Sequence, residues 1–361
     1  MIKILIIGPF PEPITGNSLS NNIVFEGFKA RKGYKANRIN TSLSFFDEKV
    51  GYFSFKKALE AFGFNLQLYK IFFSDIVYLT PGQTFFGVLK YSVLIFSAKF
   101  LKKKIIIHIH GNHLQKLYKE EQPLKKKMLR LVLARANEGI VLSESLLNNL
   151  TPFLPKSNIH IVYNFVEDFL VENTDQLISK KRVKPLKIIY LSNLMKEKGI
   201  LDLLEALKMM SDDGVPYEAK IAGNIDIKFK DELDLYFSKL KNVEYLGVLN
   251  GQAKKELLLW GNVFVFPSYY IMEGQPISLL EAMATGNIIL TTNHAGISDV
   301  FQEGINGHFI NKKSSSDIVF KLKKIQQAPE EYHAMHYNNF KYAKENFSTE
   351  AFLNHLETIM N

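Results

Sequence analysis

A strand–loop–helix plan that occurs twice is the feature that most constrains the fold. Residues 3–8 (KILIIG) form a short apolar run ending in a glycine loop, and a helical stretch follows at 16–31. Residues 187–192 (KIIYLS) repeat this plan, with a helical stretch at 199–210. Continuous apolar runs are typical of strands buried on both faces of a parallel sheet, whose crossover connections are helices. The repetition predicts the same α/β unit built twice.

Further short apolar runs alternate with helical stretches in both halves of the chain. They lie at 75–79, 104–110, 139–142 and 159–163 in the first half, and at 218–222, 243–246, 263–266 and 287–291 in the second. This alternation is typical of a doubly wound sheet. We therefore predict an α/β protein with two Rossmann-like doubly wound domains facing a central cleft.

A polar, charged stretch separates the two halves and ends in proline. The chain has 361 residues, more than one hydrophobic core usually supports. We expect an N-terminal domain at 1–168, a linker at 169–185 and a C-terminal domain at 186–340. A terminal helix at 341–361 could pack back on the N-terminal domain.

The composition is that of a globular protein, with 47% hydrophobic and 22% charged residues. There is no cysteine, which excludes disulfides, thiolate metal sites and cysteine nucleophiles. No basic leader precedes the first apolar run, so we expect no secretory signal. The apolar stretch at 85–98 carries Lys90 and is shorter than the roughly 20 residues that span a bilayer. We expect it to form a buried helix.

The net charge of +9 is concentrated in residues 99–135. This region holds eleven Lys or Arg and two acids, and 11 − 2 equals the charge of the whole chain. Residues 123–135 have the pattern of an amphipathic basic helix. Anionic membrane surfaces attract such segments, but an ordinary surface helix also has a charged outer face, and both interpretations stay open. No nucleic-acid-binding motif accompanies the charge, so we expect no nucleic-acid partner.

Two glutamates flank the start of a predicted helix. A strand at 263–266 leads through a loop to Pro276, a residue favoured in the first helical turn, and Gly286 is typical of a helix end. Ligands of parallel sheets bind at the carboxyl ends of strands, and free amides of a helix start suit a diphosphate. Glu273 precedes the helix and Glu281 lies inside it, roughly 12 Å further along the axis. They could bind hydroxyl groups on either side of a diphosphate. Alternatively, Glu273 only favours the helix dipole and Glu281 is a solvated surface residue.

Residues 273–286 read Glu-Gly-x-Pro-x-x-Leu-Leu-Glu-Ala-Met-Ala-x-Gly. This block resembles the signature of the retaining glycosyltransferases of family four, which have the GT-B fold. Weaker resemblances follow the family's order along most of the chain, at 8–17, 109–111, 140–145, 163–166, 246–247 and 295–297. Three positions depart from the family pattern: Asn17 and Phe165 stand where glycine is usual, and Asn193 stands where arginine is usual.

The resemblance implies a role for each matching residue. Glu273 would bind hydroxyls of the donor sugar near the reacting carbon, Glu281 the nucleotide ribose, and Lys198 a phosphate. Backbone amides around 274–277 would hold the diphosphate. His110 resembles the family histidine beside the donor sugar. The implied catalytic residues are His110 and Glu273, and the implied donor-binding residues are Gly16, Asn193, Lys198, Gly274, Gln275, Pro276, Ile277 and Glu281.

His108, His110 and His113 form a local cluster, and alternation along a strand places the first two on one face. No carboxylate or cysteine lies close in sequence to complete a metal site, and the chain has no Asp-x-Asp motif. We expect no metal and no cofactor, with a UDP- or GDP-sugar as substrate. His108 is expected to be buried and hydrogen-bonded.

The resemblance implies a retaining, metal-independent glycosyltransferase. The sugar would move to a glycan or lipid-linked acceptor in surface polysaccharide or glycolipid synthesis. The domain at 1–168 would bind the acceptor, and the domain at 186–340 the donor. We expect a cytoplasmic protein, with residues 99–135 a candidate contact to the inner face of the membrane. Two alternatives stay open: a non-catalytic partner subunit, which the departure at Asn193 favours, and a nucleotide-sugar epimerase. A nicotinamide dehydrogenase is disfavoured because Gly8 is not followed by the spaced glycines of that fingerprint.

Overall fold

The structure is a computed structural model that describes residues 1–42 and 63–361. The chain divides into two compact units. The first unit comprises Met1–Asn164, Met272–Gln275 and Glu350–Asn361, and the second comprises Phe165–Ile271 and Pro276–Thr349. Each unit contains one six-stranded parallel sheet with flanking helices, which confirms the predicted α/β class with two Rossmann-like sheets.

The sheet of the first unit has the strand order β2-β1-β3-β4-β5-β6. Its strands are β1 (Ile2–Gly8), β2 (Tyr34–Asn40), β3 (Ile76–Leu79), β4 (Lys104–Ile109), β5 (Glu138–Val141) and β6 (Ile159–Ile161). Its helices are α1 (Gly16–Ala30), α2 (Tyr69–Phe72), α3 (Phe85–Leu89), α4 (Ser92–Phe100), α5 (Leu114–Glu120) and α6 (Pro123–Leu133). The central strands are apolar on both faces because helices cover both sides of a parallel sheet.

Helix α1 begins at the carboxyl end of β1, with Thr15 as its N-cap: the Thr15 hydroxyl accepts a hydrogen bond from the amide of Ser18. The C-terminal helix α14 (Thr349–Met360) packs on α1. At Gly27 a Cβ atom would come within 2.5 Å of Leu353, so the two helices approach as closely as glycine allows. Arg31 extends the contact with a 2.7 Å ion pair to Glu350.

The sheet of the second unit has the strand order β12-β11-β10-β7-β8-β9. Its strands are β7 (Lys187–Leu191), β8 (Glu218–Ala222), β9 (Val243–Tyr245), β10 (Val263–Phe266), β11 (Ile288–Thr291) and β12 (Gly307–Phe309). Its helices are α7 (Asp175–Ser179), α8 (Ile200–Asp212), α9 (Lys230–Lys239), α10 (Gly251–Trp260), α11 (Ile277–Ala284), α12 (Ser315–Gln327) and α13 (Pro329–Asn346).

Helix α11 is the most deeply buried helix of this unit: seven of its eight residues, including Glu281, are buried. Pro276 is its N-cap and Thr285 its C-cap, so Pro276 lies one residue before the helix rather than within it. Gly286 follows with φ +70°, the left-handed conformation that commonly ends helices. A Cβ atom at Gly286 would come within 2.6 Å of Ile178. Both the positive φ and this close approach therefore favour glycine at this position.

Residues 169–185, expected to form a linker, are instead folded into the second unit. They include the helix Asp175–Ser179, and the ammonium of Lys181 donates hydrogen bonds to the carbonyls of Leu258 (3.1 Å) and Gly261 (2.6 Å). The polar segment that suggested a linker is therefore an ordered segment that contacts the C-terminal end of α10. Buried carbonyls at a helix end need donors, and Lys181 supplies them.

The expectation of one buried helix at 85–98 is wrong. Helices α3 and α4 are separate, and Tyr91 between them is buried, with its hydroxyl bonded to Thr41 Oγ1 at 2.8 Å. Leu94, Ile95 and Ala98 on one side of α4 are buried, whereas Val93 and Phe96 on the other side face outward. No helix in the described part of the chain is long and apolar enough to cross a membrane.

Acid should destabilise the second unit through His336. This residue is buried, its Nδ1 donates to the carbonyl of Gly286 at 2.7 Å, and burial lowers its pKa from 6.5 to about 4. The unfolded chain therefore binds a proton that the folded chain excludes, so stability is lost as pH falls from about 6.5 towards 4. We expect a slope of about 1.4 kcal/mol per pH unit from this residue within that window.

Urea unfolding of the wild type and of His336→Asn at pH 4 to 7.5 tests this contribution. The pH slope of the variant should be shallower, whereas His355→Asn, an exposed control, should keep the wild-type slope. Equal slopes for wild type and His336→Asn would contradict the assignment.

Candidate functional site

The loop Met272–Gln275 is fixed at the carboxyl edge of the first unit's sheet. Gln275 Oε1 accepts a hydrogen bond from the backbone amide of Asn164 at 2.6 Å, and Gln275 O accepts one from Asn164 Nδ2 at 2.7 Å. Gln275 Nε2 donates to the carbonyl of Leu142 at 3.2 Å. Leu142 and Asn164 follow β5 and β6, so the loop is tied to the ends of two neighbouring strands. These three residues are buried, and water cannot compete for the bonds.

Two glycines let the same loop approach the end of β4. A Cβ atom at Gly274 would lie 2.6 Å from the carbonyl of His110, and one at Gly111 would lie 2.4 Å from the carbonyl of Met272. Larger residues at either position would push the loop away from the strand end. The structure therefore brings Glu273 and His110 into adjoining loops, and Glu273 is only 6% exposed.

His110 is a neutral imidazole at physiological pH. Burial lowers its pKa to about 3, and burial together with His110 lowers the pKa of His108 well below its usual value. The two rings are tilted by 34° with their centroids 4.0 Å apart, and His108 Nδ1 lies 2.6 Å from the hydroxyl of Tyr78. Within the part of the chain that the structure describes, Nε2 of His110 has no hydrogen-bond partner. His110 can thus form a hydrogen bond to a ligand, but it offers the ligand no positive charge.

Gly16 lies at the carboxyl end of a different strand of this sheet. It is the first residue of α1, which follows β1, and β3 separates β1 from β4. Asn21 of the same helix donates to the carbonyl of Pro9 (2.9 Å) and to Thr80 Oγ1 (2.8 Å). This contact holds the start of α1 against the end of β3, and no motif in the sequence had indicated Asn21.

Lys198 lies at the carboxyl edge of the second unit's sheet. Its Nζ is 5.4 Å from the centroid of the Phe266 ring and 5.2 Å from that of Tyr270, which end and follow β10. The next residue, Gly199, has φ +79°, and a Cβ atom there would lie 2.4 Å from the carbonyl of Pro267. The loops after β7 and β10 therefore pack directly on each other. Lys198 is placed beside the segment that leads into α11.

Asn193 belongs to the same loop as Lys198. Its carbonyl accepts a hydrogen bond from the hydroxyl of Tyr190 at 3.1 Å, and the carbonyl of Lys198 lies 3.4 Å from the same hydroxyl. Tyr190 thus ties both ends of the loop to β7. The Asn193 side chain is partly exposed and carries no charge.

Glu281 is 3% exposed and belongs to a buried ion cluster, which is inconsistent with a solvated surface residue. Lys254 Nζ donates to Glu281 Oε1 at 2.6 Å and to Glu167 Oε2 at 2.6 Å. Burial raises the pKa of Glu281, and the ammonium of Lys254 opposes that rise. Burial alone would lower the pKa of Lys254, but the two carboxylates raise it above its usual value. Lys254 is therefore charged, and it holds the Glu281 carboxylate in a fixed orientation within α11.

The four residues predicted to cradle a diphosphate fall into two groups. Gly274 and Gln275 belong to the first unit, whereas Pro276 and Ile277 belong to the second. Pro276 has no amide hydrogen, so Ile277 is the first residue of α11 that can offer one.

Among residues 1–42 and 63–361, no group of three or more His, Cys, Asp or Glu side chains is placed to hold a metal ion.

Residues 172–342 match the sequence model of the family described as glycosyl transferases group 1. The whole chain superposes on the structure of Anabaena Alr3699/HepE in complex with UDP and glucose with a TM-score of 0.75, covering 100% of this chain and 99% of that one at 14% identity. This likeness shows the fold. The chain therefore has the GT-B fold.

Two curated relatives come from bacteria. The capsular polysaccharide biosynthesis glycosyltransferase CapM of Staphylococcus aureus is 26% identical over 250 residues, 65% of this chain and 64% of CapM. The amylovoran biosynthesis glycosyltransferase AmsK of Erwinia amylovora is 25% identical over 149 residues, 40% of this chain and 37% of AmsK. The alignments thus span less than two thirds of either relative.

Proposed function

We propose that this chain is a glycosyltransferase that moves a sugar from a nucleotide diphosphate to a glycan or lipid-linked acceptor in surface polysaccharide synthesis. One observation carries the proposal: Glu281, the residue proposed to bind ribose, is a buried carboxylate clamped by Lys254 instead of a solvated side chain. A buried charge is costly unless it has a function or a partner, and one oxygen of Glu281 is fixed by its partner. The curated relatives named above act in capsular polysaccharide and amylovoran synthesis, which supports the acceptor class.

We assign the roles of the donor-site residues as follows. Glu281 accepts hydrogen bonds from the ribose hydroxyls, and Lys198 with the first amides of α11 stabilises the diphosphate. Glu273 accepts hydrogen bonds from the hydroxyls of the sugar, and neutral His110 bonds the same sugar through Nε2. In this proposal Lys198 and the helix start replace a metal ion in balancing the charge of the leaving group. Addition of EDTA should then leave turnover unchanged.

We propose that the transfer retains the anomeric configuration. The acceptor hydroxyl attacks the anomeric carbon on the face from which the diphosphate departs. The bond between that carbon and the phosphate oxygen breaks, and the acceptor proton passes to the departing phosphate. Proton NMR of the fresh product would report the anomeric configuration, and an inverted product would contradict this step.

A thermal-shift panel of UDP- and GDP-sugars tests donor binding, because a ligand that binds only the folded protein raises its melting temperature. We expect one nucleotide series to raise it and Glu281→Gln to abolish the rise. Slow hydrolysis of the same donor by the purified chain would exclude a non-catalytic subunit. Conversion of the donor sugar without acceptor would instead reveal an epimerase. If no nucleotide changes the melting temperature, the proposal fails.

Replacing Asn193 with arginine should strengthen donor binding. Asn193 lies in the loop of Lys198, and a guanidinium there adds a charged, bidentate partner for phosphate that an amide cannot supply. We expect the Kd for the nucleoside diphosphate to fall by about tenfold, measured by calorimetry. Asn242→Arg, at an exposed position before the first residue of β9, adds the same charge at the opposite edge of the sheet and should change the Kd little. Equal effects of both variants would show that the charge acts only at long range.

The expected cytoplasmic location of the protein stays a prediction.

A further inference from the structure

The helical layer beside β3 and β4 of the first unit has an exposed apolar face. Six residues form this apolar face: Tyr69, Phe72, Phe73, Val93, Phe96 and Phe100. The side chains of Phe72, Phe73 and Phe100 are 63%, 61% and 86% exposed. Single exposed apolar residues are ordinary on a protein surface, but a group of aromatic rings marks an interaction surface.

Helix α4 contributes three of the six residues of the apolar face. Val93, Phe96 and Phe100 are spaced i, i+3 and i+7, so they lie along one side of the helix. Leu94 and Ile95 on the opposite side are fully buried in the core. Helix α4 is therefore apolar on both sides, although only one side packs against the sheet.

Contacts between neighbouring elements join α2 and α4 into one surface. Lys103, just after α4, donates from Nζ to the carbonyl of Phe72 at 3.1 Å. The rings of Phe72 and Phe73 meet edge to face with their centroids 5.4 Å apart. The guanidinium of Arg135 lies 5.9 Å from the centre of the Phe96 ring, which links the face to the end of α6.

The charges around the apolar face are almost all positive. Lys99 and Lys102 are exposed beside Phe100, and Lys127 and Arg130 are exposed on α6. From residue 63 to 119 the sequence contains a single acid, Asp75, and its Oδ2 accepts a hydrogen bond from the amide of Lys3 at 2.8 Å. A surface of aromatic rings bordered by lysines matches the boundary of a bilayer with anionic headgroups.

We propose that the apolar face docks on an anionic membrane surface, with Phe72, Phe73 and Phe100 inserted at the headgroup boundary. The lysines beside them contact lipid phosphates. This surface goes beyond the transferase activity and does not depend on the donor site. It also differs from the basic region at 99–135 alone, since most of its rings precede that region. Salt screens the attraction between lysines and lipid phosphates, but it does not weaken the burial of aromatic rings in lipid.

Flotation of the full chain with vesicles tests the proposal. We expect binding to vesicles that contain phosphatidylglycerol, no binding to pure phosphatidylcholine, and partial retention at ~0.5 M salt. The variant Phe72→Ser/Phe73→Ser/Phe100→Ser should lower the partition coefficient by at least about tenfold with an unchanged melting temperature. Phe320→Ser, a ring 63% exposed on α12 of the second unit, is the matched control and should bind like wild type.

The charges have their own pair of variants. Lys99→Glu/Lys102→Glu should weaken binding, whereas Lys239→Glu/Lys241→Glu, exposed lysines of the second unit, should not. If the triple serine variant is less stable, Phe100→Ser alone should still reduce binding, because that side chain is 86% exposed.

Three results would overturn the proposal. One is wild-type binding by both the triple variant and Phe100→Ser, and another is no binding of wild type to anionic vesicles. The third is that the wild type forms a dimer without lipid and the triple variant is a monomer. That result would assign the face to contact with a second copy of the chain. None of these results bears on nucleotide binding, so donor thermal shifts remain a separate test.

Discussion

Glu273→Gln should lower the rate of sugar transfer by at least about 100-fold, with little change in stability. Glu273 lies in a loop held by Gln275 and placed beside His110 by the close approach of Gly274. Glutamine keeps the size of the side chain, so the loop should keep its position. The change replaces the carboxylate that is proposed to accept hydrogen bonds from the sugar hydroxyls and so to position the reacting carbon.

Glu273→Gln should lower kcat without weakening the binding of the nucleoside diphosphate. The nucleoside diphosphate is proposed to be bound by the second unit, so Glu273→Gln should keep the Kd for UDP or GDP within about twofold while kcat falls. Glu120→Gln removes an exposed carboxylate of the first unit and should leave both quantities unchanged. Turnover close to wild type in Glu273→Gln would refute the assignment of this residue. A lower melting temperature would show that Glu273 is structural.

The buried strands were the part of the fold most accessible from sequence. Strands β8 and β10 begin and end at the predicted residues. In β10 all four residues are apolar and buried, as expected of a strand covered on both faces of a parallel sheet. Strand β2 was missed because it is the edge strand of its sheet and most of its side chains are exposed. Strand β12 is also an edge strand and has only three residues. Neither has the continuous apolar pattern of a buried strand.

Some residues of the candidate site could be predicted from sequence and others could not. Glu273, Glu281 and Lys198 lie in local motifs, so a single stretch of sequence could indicate each of them. Lys254 and Glu167 could not be indicated in this way, since Lys254 lies 27 residues from Glu281 and 87 from Glu167. Only the packing of α10 against the sheet brings the three side chains together. The apolar face was missed for a different reason: an outward-facing apolar helix has the same sequence pattern as a buried one.

Lys254→Met should lower the free energy of unfolding by about 3 kcal/mol and also weaken donor binding. Removing one partner of a buried ion pair leaves the other charge without compensation, and such changes typically cost that much. Here Lys254 compensates Glu281, which is 3% exposed, and Glu167, which is partly exposed. Without the ammonium, the carboxyl group of Glu281 takes up a proton more readily and loses the fixed orientation that ribose binding requires.

A double variant separates the structural effect from the functional one. Lys254→Met/Glu281→Gln removes both charges of the pair, so urea unfolding should show a smaller loss of stability than Lys254→Met alone. Its affinity for the nucleoside diphosphate should nevertheless stay low, because the proposed ribose-binding carboxylate is gone. Lys255→Met is the matched control: Lys255 donates to the carbonyls of Phe169 and Glu172, and its loss should leave the affinity unchanged. If the double variant binds the nucleotide as tightly as wild type, Glu281 does not hold the ribose, and the ion cluster only stabilises α11.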